Sequence, residues 1–214
     1  MSSKTTVLYG ASYSVYVRAV MMTLAAKGVP YRHEPIDIFA DTGIPVDYLL
    51  LHPFGKIPAL QHNNFTVYET IAITRYIDEV FDGPPLQPAD ATSRARMTQL
   101  MCMSDSYGYR PLVWDVYVER ISNPEEGKPI DEIRIAQALP RAKKYLNAVN
   151  EIAQVGQWLL GDTATLADFH LAPMFGYFLK TPEGQDLLKK FPRLGDWWNH
   201  ISVSDPWLAA SSQI

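Results

Sequence analysis

The chain predicts an α/β domain followed by an all-α domain, on three observations. Up to residue 82, short apolar runs alternate with a helical pattern, and beyond residue 91 only helical periodicity remains. Between the two, Asp82-Gly83-Pro84-Pro85-Leu86-Gln87-Pro88 concentrates proline and glycine in a stretch that neither a helix nor a strand interior tolerates. The expected organisation is a first domain over 1–82, a Pro-rich linker over 83–90 and an all-helical domain over 91–214.

Taken in order, Thr6 to Tyr9 reads as a strand, and 15–27 as a helix with Val17, Val20, Met21 and Leu24 on its apolar face, stopped by Gly28 and Pro30. Residues 31–38 alternate like a second strand, Ala59-Leu60 reads as a third, 66–68 as a fourth, and 71–81 is a second helix. After the linker, helices are expected over 92–120, 130–155, 166–179, 185–190 and 194–202, with 122–129 as a polar hairpin between the first two. Thr165-Leu166-Ala167-Asp168 has the logic of a capping box, in which the threonine hydroxyl takes an N3 amide and the carboxylate reaches back to the N-cap amide. That motif is structural and carries no chemistry.

Composition narrows the function. The 214 residues are 47% hydrophobic and 20% charged, enough to bury a core and unlike a disordered chain. A formal charge of −4 supplies no basic footprint, which argues against nucleic acid as a partner. With Cys102 the sole cysteine, no intrachain disulfide and no cysteine-based zinc cluster can form. Between Met101 and Met103 it reads as a packed small hydrophobe. His33, His62, His170 and His200 show no ligand spacing, so no metal is expected. The start of the chain has neither a secretory apolar region nor a membrane span; a cytoplasmic setting and no membrane partner are expected.

The most informative segment is His52-Pro53-Phe54-Gly55-Lys56-Ile57-Pro58-Ala59-Leu60, followed by Glu69-Thr70 at a helix start. Pro58 cannot donate to a sheet ladder. A trans proline at a strand start and a cis Ile57-Pro58 turn both accommodate it, the former being commoner among X-Pro bonds. The cis turn would present the N–H and C=O of Ile57 outward, where an extended peptide pairs with them as an added strand.

The order Val7-Leu8-Tyr9-Gly10, Ser14, Val17-Arg18, the segment from His52 to Leu60, and Glu69-Thr70-Ile71-Ala72-Ile73 resembles the glutathione-binding domain of the soluble glutathione transferases. The nearest likeness is to the serine-type classes, phi above all. Gly161-Asp162, Thr165 to Asp168 and Leu171-Ala172-Pro173 resemble that family's helical-domain signature. The resemblance implies a thioredoxin-like first domain and favours the cis bond. It further implies a homodimeric transferase that binds glutathione as cosubstrate and adds its sulfur to small hydrophobic electrophiles, a detoxification chemistry.

On this resemblance Ser14 is the catalytic residue, at a helix start whose amides and dipole favour an anion. Its hydroxyl would donate to the thiolate; lowering a thiol pKa of about 8.5 by roughly two units needs about 2.7 kcal/mol of differential stabilisation. A charge-assisted hydrogen bond and a helix terminus together can supply that. Glu69 would accept from the γ-glutamyl ammonium and Thr70 would take its carboxylate, while Ile57 and Pro58 meet the cysteinyl unit. Lys56 and His52 are the candidates for the glycyl carboxylate, because the phi-type His-Lys pair is replaced here by Thr42-Gly43-Ile44-Pro45. Tyr13, Met103, Tyr107 and Trp114 are the candidates for the hydrophobic substrate site.

Rivals to Ser14 are Tyr9, at the position where other classes carry a catalytic tyrosine, and Ser12, which replaces a proline of the phi pattern. Arg18 is expected in a structural ion pair. Phe54 is a candidate key residue for the dimer, as in other classes. Two further functional readings stand: a glutathione-dependent peroxidase, dehalogenase or isomerase on the same site, and a non-catalytic ligand-binding protein, since fold does not fix function.

Overall fold

The computed structural model describes residues 5–154 and 156–212. They form two compact units: one runs to Pro85 and takes in the chain again from Asp205, and the other is Leu86–Ser204.

The first unit is built on a four-stranded sheet of β1 (Thr6–Tyr9), β2 (Arg32–Glu34), β3 (Ala59–His62) and β4 (Phe65–Tyr68), in the order β2-β1-β3-β4. β1 and β2 are parallel, joined through α1 (Val15–Ala26), whereas β3 and β4 are antiparallel additions beside β1. Leu8 and Leu60 pair in register and are fully buried, each contributing about 1.5 to 3 kcal/mol by leaving water. α2 (Val46–Leu49) is a single turn, and α3 (Thr70–Val80) buries Ile73 and Ile77. A buried ion pair, Lys27 Nζ to Asp78 Oδ1 at 3.1 Å, ties α1 to α3, and the same ammonium donates to the Pro84 carbonyl at the end of the unit.

α10 (Asp205–Ser211) belongs to this unit and packs on α1, although the proline-rich break predicts that all of 91–214 lies in the helical domain. The physical reason lies in α1, whose Val15, Val17, Ala19, Val20, Met21, Met22 and Leu24 are all buried. A helix apolar around most of its circumference needs cover on more than one side.

The second unit contains α4 (Ala91–Met103), continued by π-wound stretches over Ser104–Gly108 and Arg110–Ser122 and by the one-turn α5 (Asn123–Glu125). α6 (Glu132–Ile152), α7 (Leu166–Phe178), α8 (Pro182–Leu188) and α9 (Pro192–Ile201) complete it. Val155, the expected end of the second long helix, lies outside the described residues. Gly108 lets the π segment approach α6 closely, since a Cβ there would lie 2.7 Å from the Tyr145 ring.

Asp168 is fully buried at the start of α7 and accepts four hydrogen bonds, from Leu159 N, Trp197 Nε1, Thr165 N and Thr165 Oγ1. The capping box forms as the motif predicts, the threonine side chain taking the N3 amide and the carboxylate the N-cap amide, and the threonine hydroxyl in addition donates to the carboxylate. Cys102 corrects another expectation: it is exposed. Met97, Leu100 and Met101 form the buried stripe of α4, and position 102 falls off it.

Candidate functional site

One row of the sheet organises the site. Glu34, Tyr9, Ala59 and Tyr68 are partners in register across β2, β1, β3 and β4. The loop to Ser14 leaves the sheet just after Tyr9, Ile57 and Pro58 enter it just before Ala59, and Glu69 and Thr70 leave it just after Tyr68. Three sequence-distant segments are therefore delivered to one end of the sheet.

Their approach is close. Gly10, with φ 143°, has no room for a side chain: a Cβ would stand 2.5 Å from Val17 Cγ2 and 3.2 Å from Ile57 Cβ. Its carbonyl is bonded to His33 Nε2 at 2.6 Å, and its amide donates to the Glu34 carbonyl. Ser14 is the N-cap of α1, half-buried, with Oγ accepting from Val17 N at 3.4 Å. That contact is long, so the hydroxyl is only loosely engaged by its own helix. Arg18, one turn on and buried, donates from Nε to the Ser12 carbonyl at 2.7 Å and fixes the loop before the cap.

The rival tyrosine is engaged elsewhere: the Tyr9 hydroxyl donates to Gln61 Oε1 at 3.1 Å on β3. Tyr13, 40% exposed, donates to Asp37 Oδ1 at 2.7 Å and stacks on Phe39, 61% exposed, at 6.1 Å. Asp37 also accepts the Phe39 amide, so one carboxylate arranges both rings. Phe39 and Asp37 give no signal in the sequence because residues 31–38 scan as a strand, whereas β2 ends at Glu34 before Pro35.

On the other flank the Ile57–Pro58 bond is cis. His52 is buried, its ring 4.7 Å from Tyr68 and edge-on to Phe54 at 6.3 Å, with Nδ1 sealed and without a partner. Burial lowers its pKa, while the Glu69 carboxylate acts in the opposite sense and the Lys56 ammonium in the same sense. Lys56 itself is exposed.

Glu69 has φ 70° and ψ 116°, a conformation L-residues rarely adopt, and its side chain makes no capping bond to α3. Holding a non-glycine residue there costs about 1 to 3 kcal/mol and accumulates at ligand clamps. The geometry aims the Thr70 end of α3, where amides lack intrahelical acceptors, at the same end of the sheet as Ser14.

The remaining candidates belong to the second unit. Met103 lines a surface cleft of about 480 Å³ with Arg96, Gln99, Ala148, Glu151 and Ile152. Tyr107 is 67% exposed, and Trp114 lies edge-on to Tyr109 at 6.5 Å. Among the described residues no group of three or more His, Cys, Asp or Glu could hold a metal ion, and no helix is long and apolar enough to cross a membrane.

Known proteins place this arrangement. Residues 13–80 match the family model of the glutathione S-transferase N-terminal domain, and residues 109–205 that of the C-terminal domain. The chain is 30% identical to glutathione S-transferase F13 of Arabidopsis thaliana, over 95% of its own length and 94% of that relative. It is likewise 30% identical to glutathione S-transferase hmp2 of Hypomyces subiculosus, over 96% and 97%. The crystal structure of glutathione transferase F2 from Populus trichocarpa superposes with a TM-score of 0.86 at 26% identity, covering 97% of each chain. Two domain models in the expected order and full-length relatives leave one conclusion: the chain belongs to the glutathione S-transferase family, on its phi-like branch.

Proposed function

We propose that this transferase binds glutathione at the sheet end described above, holds its sulfur as thiolate with Ser14, and transfers it to a small hydrophobic electrophile. The observation that carries the reading is the shared register row, from which the Ser14 cap, the Ile57 backbone and the strained Glu69-Thr70 start all emerge. Each offers what one part of the tripeptide needs: a hydroxyl donor for sulfur, an open peptide edge for the cysteinyl unit, and a carboxylate beside a helix N-terminus for the γ-glutamyl ammonium and carboxylate. Lys56 supplies the cation for the glycyl carboxylate, with His52 as ring packing behind the same loop.

Rate comes from a larger thiolate fraction and from proximity, without a covalent enzyme intermediate. In the first unit Tyr13 is the apolar group assigned to the electrophile, and Phe39 joins it by stacking; in the second unit Met103, Tyr107 and Trp114 are the candidates. The working form is a cytoplasmic homodimer. Retention on immobilised glutathione together with turnover of a generic aryl halide tests the function. Retention without turnover of aryl halides, peroxides or isomerisable substrates supports a ligand-binding protein instead, and no retention contradicts the site.

A further inference from the structure

We propose that Tyr48 is a positioning residue for glutathione, acting through the Lys56 carbonyl to hold the backbone of Ile57 in the conformation that receives the cysteinyl unit. The inference rests on the transferase reading and deepens it. Tyr48 is the only buried side chain of α2, at 2% exposure, while Val46 is 76% exposed and the following Leu50 82%. A one-turn helix with its apolar residues in solvent is not held by burial of a face. Its anchor is this one ring, which sits against Tyr9 and His52 at 6.2 and 6.3 Å.

Tyr48 grips the binding loop at both ends. Its backbone carbonyl accepts from Leu51 N and His52 N, each at 2.9 Å, where the loop begins. Its hydroxyl donates to the Lys56 carbonyl at 2.5 Å, one peptide before Ile57. Burial pushes the phenol pKa up, so the group remains a donor throughout the physiological range. Gly55 closes the loop between these points: its amide donates to the His52 carbonyl, and at φ 59° a Cβ would stand 2.8 Å from Ile44 Cδ1. With the carbonyl of Lys56 tied to α2, the plane of the Lys56-Ile57 peptide is set, and with it the direction of the Ile57 amide.

Tyr48→Phe removes one oxygen and keeps the ring, and the freed carbonyl belongs to an exposed residue that water can reach. Glutathione titrated calorimetrically into this variant should bind roughly three- to tenfold more weakly, the loss of one neutral hydrogen bond, with KM for glutathione rising in parallel and kcat within about twofold. Tyr9→Phe, which loses a hydroxyl on the same ring cluster without touching Lys56, should bind normally. Amide exchange of residues 55–57 in the ligand-free protein should speed up in Tyr48→Phe and not in Tyr9→Phe. Unchanged affinity, unchanged exchange, or a Tyr48→Phe chain that no longer folds would each overturn the positioning role. A wild-type protein that does not bind glutathione overturns the transferase reading itself, a result distinct from equal binding by wild type and variant.

Discussion

The Tyr9 hydroxyl donates to Gln61 Oε1 at 3.1 Å, a diagonal cross-strand pair on one face of β1 and β3. Its proton is committed to the sheet, whereas Ser14 Oγ on the cap of α1 accepts only the long contact from Val17 N, which favours Ser14 over Tyr9 as the proposed donor to sulfur. Ser14→Ala should therefore lower kcat/KM at neutral pH by about ten- to a thousandfold, the range for losing one donor to a developing anion. Glutathione affinity should change little, and Tyr9→Phe should stay active. Steady-state kinetics of the two variants decide: a dead Tyr9→Phe beside an active Ser14→Ala contradicts the serine assignment.

Glu69 separates strain from binding. At φ 70° glycine is at ease, so Glu69→Gly should leave the melting temperature unchanged or raise it. The same substitution removes the proposed acceptor for the γ-glutamyl ammonium and should raise KM for glutathione at least about tenfold, the value of a charge-assisted bond. Unchanged KM in a stable Glu69→Gly protein would remove the residue from the site.

Asp168 tests the helical unit. Asp168→Ala leaves Leu159 N, Thr165 N and Trp197 Nε1 without their acceptor in a dry interior. At about 1 to 3 kcal/mol for each orphaned donor, the variant should lose more than about 3 kcal/mol of stability by denaturant unfolding. A loss below about 1 kcal/mol would show that the network is replaceable.

Phe54 is 70% exposed, resting edge-on against His52 and Tyr68 at 6.3 and 6.1 Å. Buried across an interface it would contribute about 1.5 to 3 kcal/mol. Phe54→Ala should then weaken self-association roughly ten- to a hundredfold without unfolding the chain. Light scattering of the wild type at a mass near the 24.1 kDa of one chain would contradict the dimer, whereas an intact variant dimer would contradict only the role of Phe54.

What was legible in the sequence followed from periodicity and punctuation. β1 begins and ends at Thr6 and Tyr9 as read, and Ser14 stands at the helix start that Val17, Val20, Met21 and Leu24 announce. β2 is shorter than its alternating pattern, because the pattern continues past Pro35 while the ladder with β1 stops at Glu34. α2 is shorter than any periodic window, and its one informative residue, Tyr48, bonds to a backbone carbonyl, an interaction that leaves no spacing signal. The place of α10 was not legible: the apolar residues of the first helix ask for cover on more than one side, but nothing in them says which segment supplies it. The Glu69-Thr70 motif was visible as residue types, but the left-handed backbone at Glu69 was not, since nothing in a glutamate predicts positive φ.

The central claim is that Ser14 stabilises a thiolate, and the direct measurement is the ultraviolet thiolate absorbance of enzyme-bound glutathione as a function of pH. The wild-type complex should titrate about two units below the free thiol, and Ser14→Ala should return most of the way to the free value. A bound thiol that titrates like free glutathione in the wild-type protein, or a shift that survives in Ser14→Ala, would contradict the account.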